Sequence, residues 1–503
     1  RDDVESRGLG DVYKRQVDYN RTFGRHDVNA MLLYNQDELV NNVPGNNLIN
    51  SLPKRKQGLA GRLSYAYDGK YMAEVNMGYN GSENFAKGHR WGFFPSIALG
   101  YNISEESFFE PLRKVITSMK LRGSWGLVGN DQIGGERFIY MPTINLSGKG
   151  FTTGIDQNYG LSGPVYTRYE NNSITWEVGE KINLGIDLQL LNSLNIVVDI
   201  FRETRRDIFQ KKGTIPTYLG TGNTDVFGNL AEMKNQGLDL SIDYNKAFSK
   251  DFYMNFKGTF TYAHNEITKY DEAPKYAFQS KVGQSANVSQ GYLSNGLFLD
   301  EAEIDRYNQQ MGSTLGAGDI KYLNVSNMHG YGDDIVDVDD WTWIGNPTVP
   351  EIVYGFGPSF KYKNWDFSFF FQGVAKTSLF MSGFHPFGDN SLRNVLQFVA
   401  NDRWSPTNQN VDAKYPRLTR KTSLNNTNPG NSGRTSDYWM RDGSFLKLKN
   451  MELGYTFKRM RFYISGSNLL TFSKFDLWDP EQGGGSGLKY PTQRVFNVGF
   501  QMT

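Results

Sequence analysis

Phe252-Tyr253-Met254-Asn255-Phe256-Lys257-Gly258-Thr259-Phe260-Thr261-Tyr262 alternates without a break. Phe252, Met254, Phe256, Gly258, Phe260 and Tyr262 share one face, and Tyr253, Asn255, Lys257, Thr259 and Thr261 share the other. A period of two marks a β-strand whose two faces meet different surroundings. The pattern recurs in residues 182–190, where Ile182, Leu184, Ile186, Leu188 and Leu190 oppose Asn183, Gly185, Asp187 and Gln189. It recurs again where Leu238, Leu240, Ile242 and Tyr244 oppose Asp239, Ser241 and Asp243, and near the end, where Phe496, Val498, Phe500 and Met502 alternate with Asn497, Gly499 and Gln501. None of these apolar faces carries a charge.

Less regular segments of the same kind fall near 17–23, 26–36, 57–67, 70–80, 92–103, 118–128, 194–205, 352–363, 365–373, 444–457 and 460–472. The expectation is an all-β chain of about sixteen strands. Many strands are consecutive pairs joined by turn residues, such as Asp68-Gly69, Asn192-Ser193 and Asn364, and so read as antiparallel hairpins. Leu446 and Leu448 differ in parity from Met451, Leu453, Tyr455 and Phe457, which predicts a bulge near Lys449 and Asn450.

Composition removes several classes of function. The chain has 503 residues, 54 Lys and Arg against 53 Asp and Glu, and a net charge of +1, which gives no electrostatic support for a nucleic-acid partner. With 0 Cys, thiolate metal sites, thiol nucleophiles and disulfides are excluded. No apolar run approaches the roughly 18 residues of a spanning helix, but that does not exclude a membrane β-barrel. Histidines stand at 26, 89, 264, 329 and 385, no two at metal-ligand spacing, and no phosphate-binding glycine loop ends in Lys and Ser or Thr. No pair of carboxylates is singled out for hydrolysis, so the reading is not an enzyme.

Short turns alternate with long connections near 130–173, 266–350 and 374–442, rich in Gly, Asn, Asp, Ser and Trp. Tight turns at one end and long loops at the other are what outer-membrane barrels show. Tyr71 and Tyr79 bracket Ala73, Val75 and Met77 on one face. Eight steps of about 3.3 Å tilted by about 40° rise roughly 20 Å, close to the apolar band of such barrels. A soluble all-β protein would also alternate; strand length and loop asymmetry favour the transmembrane antiparallel β-barrel.

A series of motifs in order points to a family. It includes Phe93-Phe94-Pro95-Ser96, Lys120-Leu121-Arg122-Gly123-Ser124-Trp125-Gly126, Trp176-Glu177, Asp199-Ile200-Phe201, Ser294-Asn295-Gly296-Leu297-Phe298 and Gly318-Asp319-Ile320-Lys321-Tyr322. Further on come Ile344-Gly345-Asn346-Pro347, Asp402-Arg403-Trp404-Ser405-Pro406, Ser444 to Asn450, Gly466 to Leu470, Trp478-Asp479-Pro480-Glu481 and Tyr490 to Arg494. In this order they resemble the SusC/RagA-like TonB-dependent outer-membrane transporters, from about Val17 to the end. The resemblance implies a 22-stranded barrel around a plug in the cell outer membrane, a SusD-like lid lipoprotein, energy from the TonB complex, and uptake of an oligosaccharide or a peptide. Against that pattern this chain reads as the carboxy-terminal part of the barrel, about 16 of 22 strands, with the plug outside it. Residues 1–16 fit no family strand and are expected to be a non-native leader, leaving 17–503 as barrel. A siderophore importer of the same barrel class and a soluble glycan-binding or adhesion protein are the alternatives.

Trp341, Trp343, Trp404 and Trp439 lie in or beside the long connections, with Tyr415, Arg417 and Tyr438. Such residues stack on sugar rings or meet the lid; equally, they hold the loops together or sit at the membrane interface. Asn183, Asp187, Gln189, Asp239, Asp243 and Lys257 are expected to face the lumen. No cofactor is expected. Asp333, Asp334, Asp337 and Asp339, beside Asp340, carry the oxygen ligands calcium prefers, but Trp341 and the inserted residues 324–329 break the calcium-loop spacing, so a solvated acidic loop is the simpler reading.

Overall fold

The computed structural model describes residues 8–41, 52–133, 137–216, 218, 225–307, 309–310, 315–384, 387, 392–420, 425–426 and 435–502. Among the described residues fifteen strands form one sheet whose order is the chain order. They are β1 Gly8–Phe23, β2 His26–Asn41, β3 Lys54–Tyr67, β4 Tyr71–Ser82, β5 Trp91–Asn102, β6 Ile116–Asn130, β7 Glu177–Leu190 and β8 Leu194–Lys211, then β9 Phe227–Ala247, β10 Phe252–Lys269, β11 Ile352–Tyr362, β12 Trp365–Ala375, β13 Phe445–Phe457, β14 Met460–Ser473 and β15 Val495–Met502. The expected count was about sixteen, and the expected segments coincide with these strands. The first strand begins at Gly8, in register from Gly8↔Asn41 to Phe23↔His26, so its pairing crosses the boundary expected at Val17.

Hairpin turns explain much of the order. Asp68 (φ 55°) and Gly69 (φ 65°) both take the left-handed conformation that a tight antiparallel turn requires, as do Leu191 and Asn192. The tight turns lie at one end of the strands, and the long connections 131–176, 270–351 and 376–444 lie at the other. Lys449 is skipped between Leu448 and Asn450 in the pairing of β13 with β12 and β14, which is the predicted bulge.

By contact density the chain falls into two units, residues 1–239 with 265–273 and residues 240–264 with 274–503. In the first unit, register carries a polar row across six strands: Asn29, Ser64, Glu74, Ala98, Ser124 and Asn183. One residue along, the row is Ala30, Leu63, Val75, Ile97, Trp125 and Ile182. The apolar face is the more exposed one: Leu63 is 52% exposed, Val75 49%, Leu99 59% and Leu184 62%. Glu74, Asn183 and Ser64 on the polar face are only half-buried to solvent. A continuous exposed apolar sheet face inverts the rule of soluble proteins and fits contact with lipid. His26, Tyr67, Tyr71 and Tyr101 form an aromatic row at its turn end. Beyond the strands, Phe85, Ile133, Ile139, Ile174 and Trp176 make a small loop core.

The second unit repeats the design. Met254, Phe360, Phe367, Leu453, Ile464 and Val498 are in register on one face, and Asn255, Ser359, Ser368, Glu452, Ser465 and Asn497 on the other. Phe252, Tyr362, Trp365, Tyr455, Phe462 and Phe500 form its aromatic row at the turn end. Its long connections fold on a core of their own that includes Tyr292, Leu297, Tyr322, Met381, Phe387, Trp404, Tyr415 and Trp439.

Candidate functional site

The polar face of each unit carries arginine held by two acids above a glycine, at Arg122 and again at Arg205 (Glu177 at 3.3 Å, Glu203 at 3.1 Å, opposite Gly179) in the first and at Arg461 in the second. In the first, Arg122 reaches Asp187 at 2.9 Å and Asp199 at 2.8 Å. Gly185 pairs with both Arg122 and Asp199, and a Cβ there would stand 2.6 Å from Asp199 Oδ1 and 2.8 Å from the guanidinium, so the glycine makes room for the cluster. In the second, Arg461 bonds Asp366 and, at 2.5 Å, Glu452, and a Cβ on Gly454 would collide with the same groups. Arg122 and Arg461 are thereby neutralised by fixed carboxylates.

Of the expected lumen-facing residues, Asn183 lies in the polar row of the first unit and Asp187 in its arginine cluster, with Gln189 two residues on along the same face. Asp243 accepts from Asn245, whose Oδ1 accepts from Tyr253 at 2.8 Å and Asn255 at 2.5 Å, so these share the polar face that Lys257 continues. Asp239 is half-buried in β9.

The loop candidates divide. Trp404, Tyr415 and Trp439 are buried in the loop core, Trp439 at 0% exposure, so their rings are occupied by neighbours and present no face to a ligand. Burial pushes the Tyr415 hydroxyl up to about 12 and raises that of Tyr438 as well, whose O–H donates to Ala413 O at 2.7 Å. Arg417 grips Asp319 with two bonds, at 2.5 and 2.9 Å; that hydrogen bonding raises the guanidinium above its ordinary value. Asp319 is fully buried and also accepts from Asn426 Nδ2 at 2.6 Å and the Gly316 amide at 2.9 Å. Trp341 packs edge-on against Tyr292, and Trp343 Nε1 donates to Ser280 O at 2.8 Å. These residues hold the loops together.

The acidic stretch spends its oxygens locally. Asp333 accepts from the Ile335 amide, Asp337 from the Asp339 amide and Asp340 from the amides of Ser326 and Asp337, while Asp339 pairs with Lys275. That bond raises the Lys275 ammonium to about 12. Burial raises the Asp340 carboxyl, with the amide bonds only partly offsetting it. Among the described residues no three His, Asp or Glu side chains gather where they could hold a metal.

Two features escaped sequence reasoning. Lys447, 1% exposed, bridges Asp479 at 2.5 Å and Glu481 at 2.7 Å, tying the segment after β14 to the wall. Tyr276, Phe278, His329 and Tyr331 gather their rings outside the loop core. The one available signal was aromatic spacing of two, Tyr276-Ala277-Phe278 and His329-Gly330-Tyr331.

Against this geometry, the profile of the family described as TonB dependent receptor-like, beta-barrel, matches residues 2–469. The chain belongs to the TonB-dependent receptor-like β-barrel family. The family is one of transporters and receptors, not of enzymes, and its sheet is a transmembrane barrel wall in the outer membrane. TonB-dependent receptor P3 of Formosa agariphila is 26% identical over 479 residues, 88% of this chain and 45% of that protein. TonB-dependent receptor SusC of Bacteroides thetaiotaomicron is 28% identical over 469 residues, 88% of this chain and 43% of that protein. The chain thus spans less than half the length of these curated relatives. The solved RagAB peptide transporter superposes with a TM-score of 0.71 at 20% identity, over 98% of this chain and 55% of that one, which places the TonB-dependent barrel fold over nearly every residue. Among the described residues no helix is long and apolar enough to cross a membrane; strands make the crossing.

Proposed function

We propose that this chain forms the wall and outer loops of an importer that takes an oligosaccharide across the outer membrane, with a SusD-like lipoprotein closing over the loops and the TonB complex supplying energy. The observation that carries the reading is the two-faced wall: a lipid-type apolar face outside, and a polar face on which Arg122 and Arg461 are each neutralised by two carboxylates. Arginines so matched lend no fixed attraction for anionic ferric chelates at these two clusters, which suits an uncharged, hydroxyl-rich solute. The order of family motifs supports the lid partner. A peptide is the second reading, favoured by the fold likeness to a protein described as a peptide transporter.

The test is genetic and biochemical. The full-length protein is expected to co-purify with a surface lipoprotein encoded beside it, and its deletion to abolish growth on a neutral oligosaccharide. Growth that is lost only on ferric chelates, or no lipoprotein in the purified complex, would sink the proposal; loss only on peptides would shift it to the second reading.

A further inference from the structure

We propose that Tyr276, Phe278, His329 and Tyr331 form a stacking platform for the rings of an uncharged oligosaccharide; this rests on the oligosaccharide reading above. Phe278 lies nearly parallel to Tyr276 (centroids 5.4 Å, 11°) and to His329 (4.7 Å, 14°), and Tyr331 closes on Tyr276 at 4.2 Å and 36°. Trp404 and Trp439 are consumed by the loop core and Trp341 packs against it, whereas this pile stands outside it, with Tyr331 49% exposed and His329 exposed.

The two segments that carry the rings are held together. Gln279 Nε2 donates to Val338 O at 3.2 Å and Asp339 O at 3.0 Å, Lys275 pairs with Asp339, and Trp343 Nε1 bonds Ser280 O. Gly330 (φ 81°) and Gly332 (φ 68°) adopt left-handed backbone that other residues rarely take, flanking Tyr331 so that it and His329 both meet the pair from 276 to 278. A rigid pile of flat rings, half in water, is costly unless something covers it, and flat apolar faces with a polar rim suit a pyranose ring.

Charge selects the occupant. Asp333, Asp334, Asp337 and Asp339 lie on the same segment as Tyr331, against Lys275 and Lys281 of the partner segment, of which Lys275 is paired with Asp339. Asp334 has no bonded partner among the described residues and is exposed, free to accept from sugar hydroxyls. Such a rim repels uronates, sulfated sugars and peptide carboxylates, and leaves a neutral glycan as the ligand that gains both stacking and hydrogen bonds.

The experiment uses the full-length transporter purified with its lipoprotein, titrated calorimetrically with neutral glucan, mannan and xylan oligosaccharides, with oligogalacturonate, and with a tryptic casein digest. A neutral oligosaccharide is expected to bind the native protein, and His329→Ala and Phe278→Ala each to weaken it at least tenfold, while Tyr331→Phe leaves it within twofold. His329 is exposed, so its variant separates loss of the platform from loss of folding, which the melting temperature checks. Equal affinity of the native and Ala proteins for a neutral glycan overturns the platform and leaves glycan import standing. Binding of only the casein peptides or the oligogalacturonate overturns both. Binding of none of the probes overturns the platform, with import then decided by growth. If Met328→Asp or Val338→Asp, on exposed apolar neighbours that carry no ring, releases the lipoprotein together with the ring variants, the patch is a protein contact and the proposal fails.

Discussion

The strand wall and the loop assembly of the second unit use the same aromatic and apolar residues in opposite ways. In the wall, Val75, Ile97, Ile464 and Val498 stand exposed in registered rows, and the polar side chains pair with one another on the other face. In the loops, Trp439, Tyr292 and Phe387 are almost wholly buried, and so is the carboxylate of Asp319. The wall is thus stabilised by lipid and by its backbone ladder, and the loops by a core of the kind soluble proteins have. The two should therefore respond to different substitutions.

The largest effect is expected in the loops. Asp319→Ala leaves Arg417 without its bidentate partner and Asn426 without its acceptor in a closed interior. Breaking a buried pair on one side costs about 3–5 kcal/mol. Limited proteolysis of the folded protein is expected to open cleavage within 270–350 and 374–442 while the strands of the sheet stay uncut. Simultaneous loss of sheet and loops would show that they are one cooperative unit, and no change in cleavage would show that the pair holds nothing.

The wall gives the next effect. Val75 lies midway between Tyr71 and Tyr79 on the exposed face, so an arginine there meets hydrocarbon and is expected to cost about 2–4 kcal/mol. Asn76→Arg, one residue along on the polar face beside Glu74, is expected to cost less than about 1 kcal/mol. Refolding into lipid vesicles against denaturant measures both. Equal costs would reverse the assignment of the two faces.

What could be read in advance divides along the same line. The wall was legible because a strand's two faces repeat every second residue, so residues 252–262 or 182–190 announce their own burial. Even the slip at Lys449 showed as a change of parity. The loop core was not legible, because its contacts join distant positions: Asp319 meets Arg417 98 residues away, and Tyr415 packs on Trp439. A tryptophan destined for a core and one destined for a ligand have no local difference in sequence, which is why Trp404, Tyr415 and Trp439 stood as binding candidates while Tyr276 and His329 did not. The first strand is longer than the segment near 17–23 that its alternation suggests, because backbone pairing with β2 runs on to Gly8 through residues with no apolar face to announce it.

The smallest effect lies where wall and loop meet within the second unit. Burial acts to raise the carboxyls of Asp479 and Glu481, but hydrogen bonds from Lys447, joined by the Glu481 amide and Thr492 at Asp479 and by Lys449 at Glu481, outweigh it and hold both below the ordinary carboxylate range. Groups depressed in the folded state stabilise it above their unfolded value near 4, and that contribution is lost as pH falls through the lower folded value. Acidification below about pH 4 is therefore expected to free the segment that Gly485 tacks to Phe380 by a 2.8 Å amide bond. Hydrogen exchange at Gly483 and Gly485, corrected for intrinsic rates, should accelerate there. Lys447→Met should show faster exchange already at neutral pH and a smaller acid step, since Lys449 still holds Glu481. An acid step of undiminished size in Lys447→Met would mean that other groups control this segment, and that the buried lysine fills space at the junction without coupling it to pH.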